Sequence, residues 1–349
     1  MNKYIEADVN SFLIENDELL NSLANSTILI TGATGLIGSH LVYSILEANK
    51  RYQLNIQVLA LIRNLEKAKS LFGKYTALNG LELINGDVLA LPTITQNIDY
   101  IIHGASITSS SDFVKKPVDT IEISLQGTKN LLNLAKEKEV KSFVYLSSLE
   151  VYGTVDKKDV FEKDFGYIDF TNVRSSYSEG KRMAECLCIS YSSQFNIPVK
   201  IARLAQTFGP GVDYNDNRVF AQFARSMIEK KDIVLHTTGE TERNYCYTKD
   251  AVSALLYILL KGNISNAYNV ANENTMISIK KMAEMVAKLD PTNSVKVVIE
   301  LKDSQSLGYN PVVKIKLKTE KLEKLGWKAT TNTELMFKNL IMSWQSEEY

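Results

Sequence analysis

The sequence predicts an α/β protein, in which a doubly wound parallel sheet is followed by a smaller C-terminal α+β lobe. From residue 27 onward, short β-rich runs alternate with helical patterns, which is typical of parallel βαβ units. Runs such as TILI and YIIH lack polar alternation, as expected for strands covered on both faces. From Ala205 onward the chain becomes turn-rich, as in TFGPGVDYNDN, which indicates a separate lobe.

The composition is that of an ordinary globular protein of 349 residues, 45% hydrophobic and 23% charged. The 40 Lys+Arg balance the 40 Asp+Glu, which disfavours nucleic acid as a partner because a nucleic-acid binder needs a cationic surplus. No apolar run reaches the roughly 18 residues of a bilayer span. Three cysteines are too few for a disulfide scaffold or a zinc site. We therefore expect a cytoplasmic protein without a metal or a membrane anchor.

The elements follow in order along the chain. Residues 1–26 form an acidic amphipathic helical extension, unsuited to a secretory signal, which packs either on the body or on a second subunit. Residues 27–203 form the first domain, with predicted strands at 27–31, 56–62, 81–84, 98–103, 142–147 and 199–202, and predicted helices at 36–49, 125–138 and 175–195. Residues 204–238 and 273–349 form the lobe, whereas 239–272 return to the first domain. The predicted elements beyond residue 204 are helices at 218–230, 249–260 and 278–288, a strand at 268–270, and a short strand and a helical segment within 296–349.

A glycine-rich turn joins the first predicted strand to the first helix of this domain. In TGATGLIG, the three glycines allow a tight turn, close approach of the backbone to a pyrophosphate, and close helix–strand packing. The helix N-terminus adds backbone N–H donors and a positive dipole end. Because strand, turn and helix occur together, the spacing predicts a dinucleotide-binding Rossmann domain. The cofactor-binding residues of this turn are predicted to be Gly32, Thr34, Gly35, Leu36, Ile37 and Gly38.

The end of the second predicted strand indicates which cofactor is bound. An acidic residue there would hold the ribose 2′-hydroxyl of NAD, but Ile62 occupies this place and is followed by Arg63 and Asn64. A cation suits a 2′-phosphate, so we expect NADP(H) rather than NAD(H), with a solvated Arg63 as the alternative. Asp87 is placed to accept a hydrogen bond from the adenine amino group. The other residues predicted along the cofactor path are Asn64, Val88, Gly104, Ala105, Ser106 and Ser147.

A serine, a tyrosine and a lysine form the candidate catalytic set. Ser148 ends a predicted strand, and Tyr177 and Lys181 follow at helical i, i+4 spacing, which places both on one helix face. A free phenol has a pKa near 10 and is a poor base at neutral pH. A nearby ammonium and a cationic nicotinamide ring favour the phenolate. Tyr177 can then take the proton from a sugar hydroxyl as hydride leaves for the nicotinamide, while Ser148 orients that hydroxyl.

Five motifs together resemble the extended short-chain dehydrogenase/reductase family, namely TGATGLIG, HGAS, SSLEVYG, YSEGK and RNYCYTKDAV. More narrowly, they resemble its NAD(P)-dependent nucleotide-sugar epimerase/dehydratase branch, and RSSYSEGKRMAE and TFGPG…DNRVF are most similar to UDP-glucuronate decarboxylases. The resemblance implies that Tyr177 is the catalytic base and Lys181 its modulator and ribose ligand. It also implies a nucleoside diphosphate sugar as substrate, a homodimer built through the helices at Leu125 and Tyr177, and an association with polysaccharide synthesis.

The same resemblance implies the substrate-side residues. Arg243 matches the position that grips the sugar-nucleotide diphosphate, a role that suits a bidentate guanidinium. Asn217 and Arg218 lie on the loop that closes over the nucleotide. For either arginine, the alternative is a surface salt bridge. The residues predicted to bind the substrate are Ser148, Gln206, Asn217, Arg218 and Arg243.

The chain departs from the pattern of the branch at several positions. Sugar 4,6-dehydratases carry an Asp-Glu pair where this chain has Leu149 and Glu150, and leucine cannot protonate a departing hydroxyl. Decarboxylases carry a serine at position 149 and a basic residue where this chain has Tyr309 and Asn310. Ser124 replaces a usual asparagine. Glu150 remains a candidate catalytic residue that acts on carbon 5 or bonds a substrate hydroxyl, with a structural role as the alternative.

These departures rank the possible functions. A nucleotide-sugar epimerase, in which hydride leaves carbon 4 and returns on the other face, needs no acid at position 149. An NADPH-dependent nucleotide-sugar ketoreductase is the alternative that Arg63 favours. A decarboxylase or 4,6-dehydratase is disfavoured by Leu149. A catalytically silent nucleotide-binding scaffold is disfavoured by the complete set of Ser148, Tyr177 and Lys181.

Overall fold

The computed structural model describes residues 1–75, 80–302 and 312–346. The strands within these ranges are β1 (Thr27–Thr31), β2 (Gln57–Ile62), β3 (Leu81–Asn85), β4 (Tyr100–His103), β5 (Ser142–Ser148), β6 (Asp159–Val160), β7 (Val199–Leu204), β8 (Gln206–Phe208), β9 (Ile233–Leu235), β10 (Glu242–Tyr247), β11 (Asn266–Val270), β12 (Asn272–Ser278), β13 (Val297–Ile299) and β14 (Lys314–Leu317).

The helices of the same ranges are α1 (Lys3–Glu15), α2 (Asp17–Asn21), α3 (Leu36–Tyr52), α4 (Leu65–Phe72), α5 (Ser110–Lys115), α6 (Pro117–Glu122), α7 (Thr128–Glu137), α8 (Ser175–Phe195), α9 (Val219–Ile228), α10 (Thr248–Lys261), α11 (Ile279–Ala287), α12 (Glu320–Glu323) and α13 (Thr333–Gln345). A π-helical turn, Ile123–Gly127, joins α6 to α7, and a 3₁₀ turn, Leu149–Tyr152, follows β5.

One large sheet organises the fold. Among the described residues, seven parallel strands are arranged in the order β3-β2-β1-β4-β5-β7-β11. Chain order reverses between β1 and β4, since Leu29 of β1 is the register partner of Leu59 on one side and Ile101 on the other. In such sheets, ligands bind outside the carboxyl ends of the strands at this switch point. The predicted doubly wound α/β class is therefore confirmed.

A second, smaller sheet contains strands from distant parts of the chain. It has the order β12-β10-β14-β6, and β8 also pairs with β10. Within residues 239–272, strand β10 belongs to this sheet, whereas β11 belongs to the large one. The division of the chain into domains stays a prediction.

The predicted elements agree with the structure best where the pattern is longest. Strand β1 and helix α8 have the predicted bounds, while α3 continues beyond residue 49 to Tyr52. Within 296–349, the sequence predicted one short strand, and the described residues of this range contain two, β13 and β14. Several elements that are short or flanked by polar residues were not predicted, namely α4, α5, α6, β6, β8, β9, β10 and β12.

The apolar core lies on both faces of the large sheet and within the lobe. Helices α3 and α10 cover one face, and α7 and α8 cover the other. A third cluster, formed around Phe208, Phe220 and Trp344, fills the lobe. Across the described ranges, no helix is both long enough and apolar enough to span a membrane.

The N-terminal extension packs on the body of the same chain. Helix α1 contacts α3, α10 and α13, and its buried Phe12 and Leu13 join the core beneath α3. The buried Asp8 carboxylate accepts a hydrogen bond from the Tyr247 hydroxyl at 2.7 Å. Lys249 of α10 forms an ion pair with Glu15 at 2.7 Å. The extension therefore joins the large sheet to the lobe.

Candidate active site

A 760 Å³ cavity opens at the carboxyl ends of the central strands, at the switch point of the large sheet. It brings together most of the residues predicted from the sequence. Asp87 and Asn217 are not among its lining residues, although their neighbours Gly86, Val88 and Arg218 are. The predicted residues that line it are Gly32, Thr34, Gly35, Leu36, Ile37, Gly38, Arg63, Asn64, Val88, Gly104, Ala105, Ser106, Ser147, Ser148, Glu150, Tyr177, Lys181, Gln206, Arg218 and Arg243.

The glycine turn forms one end of the cavity. Gly32 has a φ of +70°, and a Cβ on it would lie 2.7 Å from the carbonyl carbon of Gly104. A Cβ on Gly38 would overlap the carbonyl oxygen of Gly32. The backbone therefore comes closer to its neighbours at these two positions than any side chain allows. Gly35 is the N-cap of α3, so the N-terminus of this helix faces the cavity.

A polar relay behind the turn fixes the loop after β4. The Thr31 hydroxyl lies 2.7 Å from His103 Nδ1, and His103 Nε2 lies 3.1 Å from the Thr128 hydroxyl. The backbone N–H groups of Gly104 and Ala105 donate to the Thr31 oxygen at 3.2 and 3.1 Å. Burial lowers the pKa of His103 to about 3, so the ring is neutral at physiological pH. This relay was not predicted from the sequence, where its only signal is a polar residue at the end of each strand.

The outer edge of the cofactor end carries Arg63 and Asn64. Arg63 is 66% exposed, and its guanidinium lies 3.9 Å from the Asp87 carboxylate. The second Asp87 oxygen accepts from the Leu89 N–H at 2.8 Å. The Asn64 side chain caps α4 by accepting from the Lys67 N–H at 2.9 Å. Asn64 thus has a structural task, whereas Arg63 is held only by a weak surface ion pair.

Tyr177 and Lys181 lie on the buried side of α8, below the end of β5. The Tyr177 ring stacks on Phe113 with centroids 4.2 Å apart, and it is 8% exposed. Lys181 Nζ donates to the Leu146 carbonyl at 2.8 Å and lies 5.8 Å from the Tyr177 ring centroid. Ser148 ends β5, and its hydroxyl accepts from the Glu150 N–H at 3.2 Å. The i, i+4 spacing and the strand end therefore bring the three side chains to one wall of the cavity.

Burial determines the ionisation of this group. Desolvation raises the pKa of Tyr177 above its usual value, and the Glu150 charge raises it further, while a hydrogen bond with Ser148 opposes both. Burial lowers the pKa of Lys181 to about 8, although Glu185 and Cys188 favour its charged form. The phenol therefore needs added positive charge in the cavity before it can act as a base near neutral pH.

Ser147 contacts a buried charge network beneath the cavity floor. Its hydroxyl donates to Glu185 at 2.5 Å, and Glu185 forms an ion pair with Arg203 at 2.6 Å. Arg203 also donates to the Tyr152 hydroxyl at 3.1 Å. These groups hold β5, β7 and α8 together, so the Ser147 hydroxyl is engaged in the scaffold.

Glu150 is held by the guanidinium of Arg174, which is not among the predicted site residues. Arg174, at the N-cap of α8, donates to the two Glu150 oxygens at 3.0 and 3.3 Å, and the Ser178 hydroxyl donates at 3.2 Å. Leu149 precedes Glu150 and lines the cavity. Arg174 stands inside the quoted run RSSYSEGKRMAE, but its partner lies on a different element, so the pairing has no local sequence signal.

The lobe side of the cavity presents polar atoms without partners. The buried Nε of Arg243 and Oε1 of Gln206 have no hydrogen-bond partner within the described part of the chain. Strands β8 and β10 place them in one sheet, where Gln206 is the register partner of Tyr245. Arg218 is instead paired with Asp216 at 2.6 Å. Buried polar atoms are normally satisfied, so Arg243 and Gln206 are candidates for contact with a ligand.

Two other positions of interest lie apart from this wall. The Asn217 carbonyl accepts from Gln222 at 2.6 Å, in the loop before α9. The Ser124 hydroxyl donates to the Thr120 carbonyl at 2.8 Å, within its own helical segment. Tyr309 and Asn310, where a decarboxylase has its basic residue, lie outside the described residues. In the ranges described, no group of three or more His, Cys, Asp or Glu side chains is arranged to hold a metal ion.

The strand order, with a cavity at the switch point lined by the glycine turn, is that of the dinucleotide-binding Rossmann fold. Residues 28–271 match the model of the NAD dependent epimerase/dehydratase family, and the chain belongs to this family. The resemblance inferred from the motifs is thereby confirmed.

Curated relatives extend the match over most of the chain. UDP-glucuronic acid decarboxylase 3 of Arabidopsis thaliana is 32% identical over 307 residues, which cover 84% of this chain and 86% of the relative. The dTDP-D-glucose 4,6-dehydratase of Bos taurus is 27% identical over 307 residues, which cover 86% and 83%. The chain is therefore a member of a family of nucleotide-sugar enzymes, as its motifs predicted.

Solved structures support the same fold. The UDP-glucuronic acid 4-epimerase of Bacillus cereus, in complex with UDP-glucuronic acid and NAD, superposes with a TM-score of 0.76 at 22% identity and covers 91% of this chain and 99% of its own. The UDP-N-acetylglucosamine 4-epimerase of Methanobrevibacter ruminantium gives a TM-score of 0.79 at 18% identity, with coverages of 93% and 100%.

Proposed function

We propose that this chain is a nucleotide-sugar 4-epimerase. The observation that carries the proposal is the meeting of Ser148, Tyr177 and Lys181 on one cavity wall, with Leu149 beside them instead of an acid. Epimerisation at carbon 4 requires one base for the 4-hydroxyl and no proton donor at carbon 6. Leu149 supplies no proton, so the wall suits this reaction better than 4,6-dehydration.

Each residue of the wall has a separate task in this proposal. Tyr177 takes the proton from the 4-hydroxyl and returns it, because its phenol is the acid–base group of the wall. Ser148 donates to the same oxygen and fixes its angle. The Lys181 ammonium, which the Leu146 carbonyl anchors at 2.8 Å, favours the phenolate electrostatically. Phe113 holds the ring plane of Tyr177 by stacking.

The glycine turn is suited to a nicotinamide dinucleotide. The close backbone approach at Gly32 and Gly38 leaves room for a pyrophosphate at the N-terminus of α3. When bound there, the cofactor supplies the hydride acceptor and a positive charge beside Tyr177. Lys181 would also hold the nicotinamide ribose. The Thr31–His103 relay fixes the opposite loop, so the cleft keeps its width.

The finer cofactor preference that we propose is NADP(H) over NAD(H). Arg63 lines the cavity at the end of β2, where Ile62 stands in place of the strand-end acid that would repel a 2′-phosphate, and its weak pairing with Asp87 leaves the guanidinium available. Arg63→Ala is expected to weaken NADPH binding about tenfold and NADH binding by less than about twofold. Calorimetric titration of each cofactor measures this difference. Equal losses for the two cofactors would disprove the preference.

Arg243 and Gln206 are proposed to bind the diphosphate of the sugar nucleotide. A guanidinium suits a diphosphate because it donates two parallel hydrogen bonds. Its buried, unpartnered Nε supports this assignment. Arg218 would join them after leaving Asp216.

Two other reactions remain testable alternatives. Decarboxylation of UDP-glucuronic acid is favoured because relatives that are 32% and 30% identical are UDP-glucuronic acid decarboxylases. It is opposed by Leu149. Net reduction of a 4-keto sugar is favoured by Arg63. Both use the same Tyr177 wall, so product analysis has to separate them.

The most informative experiment identifies what the protein binds and makes. Mass spectrometry of ligands released on denaturation identifies cofactor and nucleotide sugar, and incubation with UDP-glucuronic acid and UDP-glucose tests turnover. An isomer of unchanged mass supports the epimerase. Loss of carbon dioxide indicates decarboxylation, oxidation of added NADPH by a 4-keto nucleotide sugar indicates net reduction, and either result overturns the epimerase proposal.

Tyr177→Phe tests the wall itself. We expect the variant to lose about 10³-fold in turnover while binding the sugar nucleotide normally, since only the acid–base group is removed. Tyr191→Phe is the matched control, because Tyr191 lies on the same helix and its hydroxyl bonds Asn133 at 2.9 Å, away from the cavity. Full turnover by Tyr177→Phe would disprove the assignment.

A homodimer is also part of the proposal. A 610 Å³ apolar groove lies between the segment from α6 to α7 and helix α8, with Ile121, Leu125, Met183 and Leu187 on its walls. Met183 is 55% exposed, and a second copy would cover this face by pairing the same helices. Met183→Glu is expected to sediment as a monomer where the wild type is a dimer. A wild-type monomer would disprove this part.

A further inference from the structure

Arg174 is a charged group beside the catalytic wall that has no role in the proposed function. Its guanidinium grips Glu150 by two hydrogen bonds, at 3.0 and 3.3 Å, from the N-cap of α8. The pair is largely shielded, with side-chain exposures of 21% and 26%. A fork-to-carboxylate pair of this geometry fixes both side chains more firmly than a single contact.

The pair stands next to Tyr177 on two sides. Glu150 follows Ser148 on the 3₁₀ turn and lines the cavity. The Arg174 guanidinium lies 5.8 Å from the centroid of the Phe113 ring, and this ring stacks on Tyr177. Arg174 itself is not among the lining residues, whereas the Glu150 carboxylate that it holds does line the cavity.

We infer that Arg174 is a positioning residue, which holds the Glu150 carboxylate in place and compensates its charge beside Tyr177. The inference rests on the proposed function, because Tyr177 must lose a proton for that reaction. An uncompensated carboxylate would disfavour the phenolate. Arg174 thereby allows an anionic Glu150 to remain at the wall without disabling the base.

Burial and the charge of Glu150 raise the pKa of Tyr177, whereas Ser148, Arg174 and Arg218 lower it. The opposite effects of Glu150 and Arg174 on this pKa agree with their pairing beside the Tyr177 ring. The ionisable groups that face Tyr177 come from its own helix, from β5, from the 3₁₀ turn and from the loop before α9, and they are Lys181, Arg174, Tyr145, Glu150 and Arg218.

The first test is the pH dependence of single-turnover cofactor reduction by a nucleotide sugar. We expect Arg174→Met to shift the acid limb of the rate upward by about one pH unit. At a fixed pH below the limb, the rate then falls about tenfold, because less phenolate is present. KM should change little, since Arg174 does not line the cavity. Arg174→Lys should restore about half of the shift, because the charge remains but the fork is lost.

Two further variants separate positioning from a merely structural effect. The double variant Glu150→Gln/Arg174→Met removes both charges, so its limb should return close to that of the wild type. Arg182→Met is the matched control: Arg182 lies on the same helix and supports the same turn through the Val151 carbonyl at 2.6 Å, without a contact to Glu150. The inference is overturned if Arg174→Met and Arg182→Met give the same pH–rate profile. It is also overturned if the acid limb of the double variant stays at the higher pH.

A second readout needs no turnover. In the cofactor-bound protein, the ¹³Cζ resonance of labelled Tyr177, assigned through Tyr177→Phe, reports the ionisation of the phenol. Arg174→Met should delay this change to higher pH, and superimposable titrations would overturn the inference. A wild type that reduces no cofactor with any sugar would instead disprove the proposed function, and the resonance would still decide the role of Arg174.

Discussion

The two ends of the cavity are built in different ways. The cofactor end consists of backbone and small side chains in fixed contact, as at Gly32, Gly38 and the loop that Thr31 holds. The sugar end consists of charged and polar side chains from separate elements. There, Arg218 bonds its neighbour Asp216, while Arg243 and Gln206 keep buried atoms without a partner in the described structure.

The difference shows what each end requires of its ligand. A preformed backbone cradle loses little conformational freedom on binding. It therefore suits the dinucleotide, which is the same ligand whichever sugar nucleotide is bound. Unpartnered side chains must be satisfied by the ligand, so they discriminate between substrates. We therefore expect changes at the cofactor end to affect folding and cofactor binding together, and changes at the sugar end to affect substrate affinity alone.

The largest expected effect lies outside both ends, in the extension that braces them. Burial raises the pKa of Asp8 from 3.8 to about 7. Its folded-state pKa therefore exceeds the unfolded value, and the folded protein retains a proton that the unfolded chain releases. Stability from this group is present below the unfolded pKa and is lost as pH rises through the window from 3.8 to about 7. The loss across the window is up to about 4 kcal/mol.

Asp8→Asn removes this titration and retains an oxygen that can accept from Tyr247. Denaturant unfolding at several pH values should show a free energy of unfolding that falls with rising pH in the wild type and stays flatter in the variant. Glu18→Gln is the control, because Glu18 is an exposed carboxylate of the same extension, where a change within about 0.5 kcal/mol is expected. Parallel curves for wild type and Asp8→Asn would contradict the prediction.

The second-largest expected effect is that of a substitution in the glycine turn at the cofactor end of the cavity. A Cβ at Gly38 would overlap the carbonyl oxygen of Gly32, so Gly38→Ala should cost about 3 kcal/mol through a forced shift of the turn. Cofactor affinity, measured by calorimetry, should fall about 100-fold. Gly35→Ala is the matched variant, since its Cβ would lie 3.2 Å from the same oxygen and needs only a small adjustment. Similar losses for both variants would show that the turn is not fixed as described.

The same difference explains how far the sequence could predict the structure. The cofactor end follows from a continuous motif, because strand, glycine turn and helix are adjacent in the chain and each has a local pattern. Helix α8 likewise has the predicted bounds, since its 21 residues carry a long helical pattern. Tyr177 and Lys181 share its buried side because i, i+4 spacing is a local property.

The sugar end could not be predicted in this way. Strand β10 reads ERNYCY and gains its place by pairing with β8, β12 and β14, which are distant in sequence. The contact of Arg174 with Glu150 spans the whole segment between the 3₁₀ turn and α8. Neither arrangement has a local signal, because both depend on tertiary pairing. The assigned roles of the site residues stay predictions.

The smallest expected effect compares two arginines within the sugar end. Arg243→Met removes a guanidinium whose buried Nε has no partner among the described residues, and we expect the Kd for UDP to rise about 30-fold, or about 2 kcal/mol. Arg218→Met should raise it only about threefold, because Arg218 must first give up its Asp216 partner at 2.6 Å. Calorimetry with UDP measures both, and cofactor affinity should stay unchanged in each. If the two variants lose equally, partner availability does not determine which side chain grips the diphosphate.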